Sequence, residues 1–103
     1  MYGYLGSMRT TPGSRDEVVK ILTAGDDALK AAGCELYLVG VDSGDPDLIW
    51  ITEMWLSKQH HENSLQLPET RAAIAAAMPM LTGDFESHEL EMVGGLGYPE
   101  GRA

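Results

Sequence analysis

Apolar and polar positions alternate from Tyr2 to Met8, with Tyr2, Tyr4 and Met8 on one side and Gly3, Leu5 and Ser7 on the other, the period of a β-strand. Thr11-Pro12-Gly13 breaks that pattern. Ser14-Arg15-Asp16-Glu17 has the S-x-x-E form of a capping box and predicts the start of a helix. Behind it Val18, Ile21, Leu22, Ala28, Leu29 and Ala32 recur at helical spacing, a single stripe that runs across Gly25 and stops at Gly33. Cys34 to Val41 is a second strand, apolar on both faces: Leu36 and Leu38 on one, Tyr37, Val39 and Val41 on the other. The turn-forming residues 42–47 lead into a third strand, Leu48 to Trp55, equally apolar, and the two strands read as a hairpin. Ser57 caps a short helix from Lys58 to Leu67. Pro68 restarts the helix with Ile74, Ala77, Met78 and Leu81 on one side, until Pro79 ends it or kinks its last turn. Gly83-Asp84 predicts a turn, and Phe85 to Val93 a last strand.

The order is β-α-β-β-α-β with the second helix in two pieces, which predicts a ferredoxin-like α+β fold: an antiparallel sheet with helices on one face. The domain is expected over residues 1–94, followed by a Gly-rich tail over 95–103. Both faces of the inner strands are apolar, yet helices cover only one. The uncovered face predicts a homodimer with two sheets packed face to face.

Length and composition narrow the partners. At 103 residues and 44% hydrophobic content, one core can bury roughly two-thirds of the unfolded surface, so a single domain is expected. Sixteen acidic against seven basic residues give a net charge of −9, which repels phosphate backbones and anionic lipid. Neither nucleic acid nor membrane is an expected partner. No apolar run is long enough to span a bilayer, Tyr2–Leu5 is too short for a signal segment, and a cytoplasmic location is the expectation. Cys34 is the lone cysteine, so no internal disulfide or zinc quartet is expected.

The chemistry concentrates in W-L-S-K-Q-H-H-E-N-S-L, residues 55–65. Glu53 and Trp55 are two apart on a strand and share a face with Ile49 and Ile51; a carboxyl there needs a partner, with Arg71 or Lys58 as candidates. His60 and His61 diverge by about 100° on a helix, so one alone can face inward. His61 shares its face with Leu65 and is assigned to the pocket, whereas His60 is assigned to water or the dimer edge. Their i+4 partners are Ser64 and Leu65, and His88 stands apart, so no metal site is predicted. Tyr4, Tyr37, Asn63 and Arg71 are further polar candidates for the pocket wall. No Gly-rich phosphate loop opens a helix, and neither flavin nor nicotinamide is indicated.

T-P-G-S-R-D-E-V-V-K-I-L, then I-W-I-T-E-M-W-L-S-K-Q-H-H-E-N-S-L-Q-L-P-E-T-R-A-A-I-A-A-A-M-P-M-L and the closing E-L-E-M-V-G-G together resemble the antibiotic biosynthesis monooxygenase (ABM) domain over almost the whole chain. The markers are Glu53, Trp55, Ser57, Lys58, His61, Ser64 and Leu65. The resemblance implies a dimeric α+β barrel with a small pocket between sheet and helices. It also implies a cofactor-independent, quinol-type monooxygenase that oxidises a phenol, hydroquinone or polyketide-like aromatic with dioxygen. In that chemistry His61 is the expected base and Trp55 the residue that stacks on or hydrogen-bonds the substrate; Tyr37, Glu53, Asn63 and Arg71 are expected to bind it. A dimeric small-molecule-binding protein without turnover is the alternative. Haem-degrading relatives pair a Trp and a His, matched by Trp55 and His61, with an Asn on the first strand; Tyr2–Met8 contains none.

Overall fold

The computed structural model describes residues 1–99. Strands β1 (Tyr2–Thr10), β2 (Cys34–Val41), β3 (Leu48–Trp55) and β4 (Leu81–Glu91) form one antiparallel sheet in the order β2-β3-β1-β4. Helices α1 (Arg15–Leu22) and α2 (Asp26–Ala31) connect β1 to β2. Helices α3 (Lys58–Ser64) and α4 (Pro68–Ala77), with a 3₁₀ turn at Met78–Met80, connect β3 to β4. This is the ferredoxin-like α+β arrangement expected from the pattern. Of the tail predicted over 95–103, residues 100–103 lie outside the described residues.

The register decides which residues share a face, because directly paired residues in an antiparallel ladder point the same way. Met8 pairs with Ile49, Gly6 with Ile51, Tyr4 with Glu53 and Tyr2 with Trp55, while Tyr37 and Val39 of β2 pair with Glu53 and Ile51. That face packs on the helices: Val18, Ile49, Ile51 and Ala77 form the buried centre, with Met8, Ile21, Leu22, Val39 and Leu81 around it. The opposite face carries Leu5, Leu36, Leu38, Trp50, Thr52 and Met54, and no helix among the described residues covers it. Leu38 is 58% and Leu90 43% exposed there, which leaves an apolar surface open. Strand β4 is exposed along nearly all its length, so the helical layer lies over β2, β3 and β1.

Four local expectations change. Ser14 does not form a capping box: its backbone is helical rather than extended, and its hydroxyl is engaged with the Thr11 hydroxyl at 2.8 Å. The stripe read as one helix is two, because Thr23 turns its hydroxyl back onto the Val19 carbonyl at 2.8 Å and Gly25 begins a new helix. Helix α3 ends at Ser64 rather than Leu67; the amides of Leu65, Gln66 and Leu67 bond carbonyls three residues back, closing the chain into tight turns before Pro68. Gly83-Asp84 lies inside β4, not before it. The strand begins at Leu81, and Gly83, with φ of 88°, absorbs the bulge between Met8 and Thr10. Arg9 fixes that bulge through ion pairs to Asp84 at 3.3 Å and to Asp45 at 2.8 Å.

The acidic segment 42–47 is a self-satisfied turn. Asp42 Oδ2 accepts from the amides of Gly44 and Asp45, and its Oδ1 accepts from Trp50 Nε1 at 3.0 Å. Arg15 on α1 donates to the Asp45 carbonyl at 2.7 Å and ties the β2–β3 turn to the helical layer.

Candidate active site

Trp55 ends β3 and Glu53 precedes it by two residues, so both side chains point under the helices. Both are buried, Trp55 at 1% and Glu53 at 8% exposure. An indole N–H at that depth needs an acceptor, and Trp55 Nε1 donates to Glu53 Oε1 at 2.9 Å. Just beyond the strand, Ser57 caps α3: its hydroxyl accepts from the His60 amide at 3.2 Å, the device that aims the helix. His61 then turns inward over the same carboxyl, with Nε2 3.7 Å from Glu53 Oε1. Its ring lies against three aromatic neighbours: Tyr4 at 5.1 Å, Tyr2 at 5.4 Å, and Trp55 edge-on at 5.4 Å. Tyr37 completes the row, paired across the sheet with Glu53.

Gly6 shapes this cluster. A methyl group there would lie 2.9 Å from Tyr4 Cε1, so the missing side chain is what lets the Tyr4 ring lie back over β1. Lys58, the first residue of α3, pairs with Glu89 of β4 at 3.1 Å and bridges the site's outer edge.

Burial dominates the electrostatics. Desolvation raises the Glu53 carboxyl above the ordinary range, only partly offset by the Trp55 hydrogen bond. Desolvation lowers His61 below its usual value, opposed by Glu62 and Glu89 and assisted by Lys58. Tyr2 is pushed up to about 12 by desolvation and then by Glu89, and burial also raises Tyr37, so both phenols stay protonated at neutral pH. The Cys34 thiol rises to about 11 for the same reason and gives a hydrogen bond to the Leu36 carbonyl at 3.2 Å, the role of a small buried hydrophobe. Among the described residues no three His, Cys, Asp or Glu side chains gather as metal ligands.

The structure therefore brings Trp55, His61, Glu53 and Tyr37 together. Asn63 and Arg71 stand elsewhere. Asn63 is exposed and accepts from Gln59 Nε2 at 2.8 Å, while Arg71 borders an open groove of about 330 Å³ with Leu65, Gln66, Ile74 and Ala75 on the outside of the helices. The partner expected for Glu53 is Arg71 or Lys58; the partners found are Trp55 and His61, because Lys58 is held by Glu89 and Arg71 borders that outer groove. His60 is exposed, with Nδ1 2.6 Å from the Ser57 hydroxyl and its ring against Gly33. Two members of the cluster escape a reading of the sequence, Tyr2 and Gly6. Tyr2 shares parity with Tyr4, but only the β1–β3 register shows that both meet His61.

A four-stranded antiparallel sheet with helices on one face, enclosing a carboxyl, an imidazole and an indole between tyrosines, defines an α+β domain with a buried aromatic site. The chain belongs to the antibiotic biosynthesis monooxygenase family, whose sequence profile matches residues 1–76. A solved structure bearing that family name, from Chloroflexus aurantiacus, is 45% identical, with 91% of this chain and 94% of that chain covered at a TM-score of 0.83. One from Deinococcus radiodurans is 25% identical over 93% and 96% of the two chains, with a TM-score of 0.72. Another from Caulobacter crescentus, 20% identical over 90% of each chain with a TM-score of 0.81, shares the fold. No curated protein matches the chain.

Proposed function

We propose that the chain is a cofactor-independent monooxygenase that oxidises a small, electron-rich aromatic, a phenol or hydroquinone, with dioxygen. The observation that carries this reading is the position of His61: a partly buried imidazole kept neutral by desolvation and walled by Tyr2, Tyr4 and Trp55. A neutral imidazole can take a phenolic proton, and an aromatic wall suits a flat substrate. The substrate anion then gives an electron to dioxygen, and recombination forms a carbon–oxygen bond. For a hydroquinone, one oxygen atom of dioxygen enters the ring and the other leaves as water, so that hydroquinone and dioxygen become hydroxyquinone and water. The aromatic supplies all the electrons, and no prosthetic group is consumed. His61 is the catalytic base in this scheme. Trp55 gives its N–H to Glu53 and acts from beneath the site, and Tyr37 is the candidate to steady the developing anion.

The working unit in this proposal is a homodimer. The apolar face of Leu5, Leu36, Leu38 and Leu90 lies opposite the helices, and a second copy of the same sheet is its natural cover. No helix among the described residues is long and apolar enough to cross a membrane.

Oxygen consumption with a panel of hydroquinones and dihydroanthracenones tests the function. Uptake well above the buffer rate for at least one member is expected. Uptake equal to buffer across a varied panel would leave a binding protein with the same site.

A further inference from the structure

Glu53 is unusual for its position. It stands at 11% side-chain exposure with no lysine or arginine among the described residues paired to it; Lys58 is bound to Glu89 and Arg9 to Asp45 and Asp84. A buried carboxyl normally needs either a cation or a proton. The two groups facing its Oε1 are the Trp55 N–H at 2.9 Å and His61 Nε2 at 3.7 Å, with the His61 side chain equally buried at 12%. We propose that Glu53 is the positioning residue for His61: held by Trp55, its carboxylate faces the Nε2 side of the ring and selects the tautomer with the proton on Nε2, which leaves the Nδ1 lone pair to meet the substrate.

The physical basis is that burial penalises both extreme states of the pair. As a carboxylate beside a neutral imidazole, the state in which Nδ1 can accept a proton, the pair carries a buried anion; one proton gained at Nδ1 makes it neutral overall, a carboxylate facing an imidazolium, and a second would leave an isolated cation. The surrounding charges do not supply an alternative. On α3 they are Lys58 and Glu62, and on β4 Glu89, with Lys58 and Glu89 already paired at the exposed edge. Tyr2 and Tyr4 of β1 are the other groups packed on His61, and Tyr37 and Cys34 of β2 those near Glu53; burial keeps Tyr2, Tyr37 and Cys34 protonated. Proton uptake by His61 from a phenol moves one proton from the substrate oxygen to Nδ1 and changes no oxidation state. The Glu53 carboxyl then faces the imidazolium across Nε2.

The test is a pair of titrations on the full chain, following the ring nitrogens of ¹⁵N-labelled His61 and the carboxyl carbon of ¹³C-labelled Glu53 by NMR. Glu53→Gln keeps an oxygen for Trp55 but removes the charge, and should lower the His61 pKa by about one unit. His61→Gln should raise the Glu53 pKa by the same amount, because coupling between two sites is reciprocal. Trp55→Phe should also raise Glu53, since the lost hydrogen bond favours the charged form. If one variant fails to fold, the reciprocal one measures the same coupling. A titration of either residue that is unmoved by loss of the other overturns the dyad. Only the role of Nδ1 rests on the proposed oxygenase reading, and the titrations need no turnover. An absence of oxygen uptake with intact coupling would therefore sink the reaction and not the dyad, and uncoupled titrations in an active enzyme would do the reverse.

Discussion

At the scale of single residues, the candidate site is governed by the depth at which three polar groups are held. Trp55 gives its N–H to Glu53, and His61 holds Nε2 3.7 Å from the same carboxyl. Depth also sets the response to pH. The depressed folded-state pKa of His61 means that the unfolded chain takes up a proton which the native protein resists. Its contribution to stability is complete above the unfolded value of about 6.5 and is lost as pH falls below it. Glu53, raised in the fold, has the opposite sign: its contribution is complete below about 4.5 and is lost as pH rises through the folded value. His61→Gln should accordingly lose less stability than the parent between pH 7.5 and 5.5, roughly the window around the unfolded histidine value, measured by urea denaturation at each pH. An equal loss in both proteins would show that His61 is not desolvated in the fold. Glu53 and Trp55 are legible as a pair because strand parity alone places them on one face. Their partnership is not, since Trp55 could reach Glu53 or a ligand equally well on sequence grounds.

At the scale of elements, α3 is the piece that turns an ordinary strand end into a site. It has only seven residues, Lys58–Ser64, too short to be stable alone, so its cap and its seating on β3 fix where His61 points. Ser57→Ala removes the acceptor for the His60 amide and should cost about 1 kcal/mol of stability in chemical denaturation. A loss within error of zero would mean that packing alone holds α3. Gly33 supports the same corner: its φ of 101° lies in the left-handed region, and an added methyl group would meet the His60 ring at 2.7 Å. The Ser57 cap and the Gly33 stop are readable because each is a local device with a local signature. The Ser14 box, the single helix through Gly25 and the turn at Gly83-Asp84 fail for the converse reason. Their outcomes depend on Thr11, Thr23 and Arg9, partners chosen by the folded chain rather than by spacing.

At the scale of the whole molecule, the order of elements along the chain and the layer of helices follow from hydrophobic periodicity, and the two-faced apolarity of β2 and β3 follows from it too. What periodicity cannot supply is register. The meeting of Tyr2, Tyr4 and Tyr37 around Glu53 and His61 joins three strands and a helix, from opposite ends of the first two-thirds of the chain, and is visible only once the ladder is fixed. The uncovered face makes a prediction of its own. Leu38→Glu places a charge within the proposed dimer contact and should weaken association at least tenfold, equivalent to about 1.4 kcal/mol, in sedimentation at micromolar concentration. A parent chain that sediments as a monomer there would remove the dimer.

The central claim, that His61 is the base of an oxygenase, is tested most directly by kcat/KM for oxygen uptake against pH in the parent chain and in His61→Ala. The parent should gain activity as pH rises through an apparent pKa below the ordinary histidine value and then level off. His61→Ala should lose roughly a hundredfold or more and lack that rise. A His61→Ala variant with the parent's rate and the parent's pH profile would contradict the account.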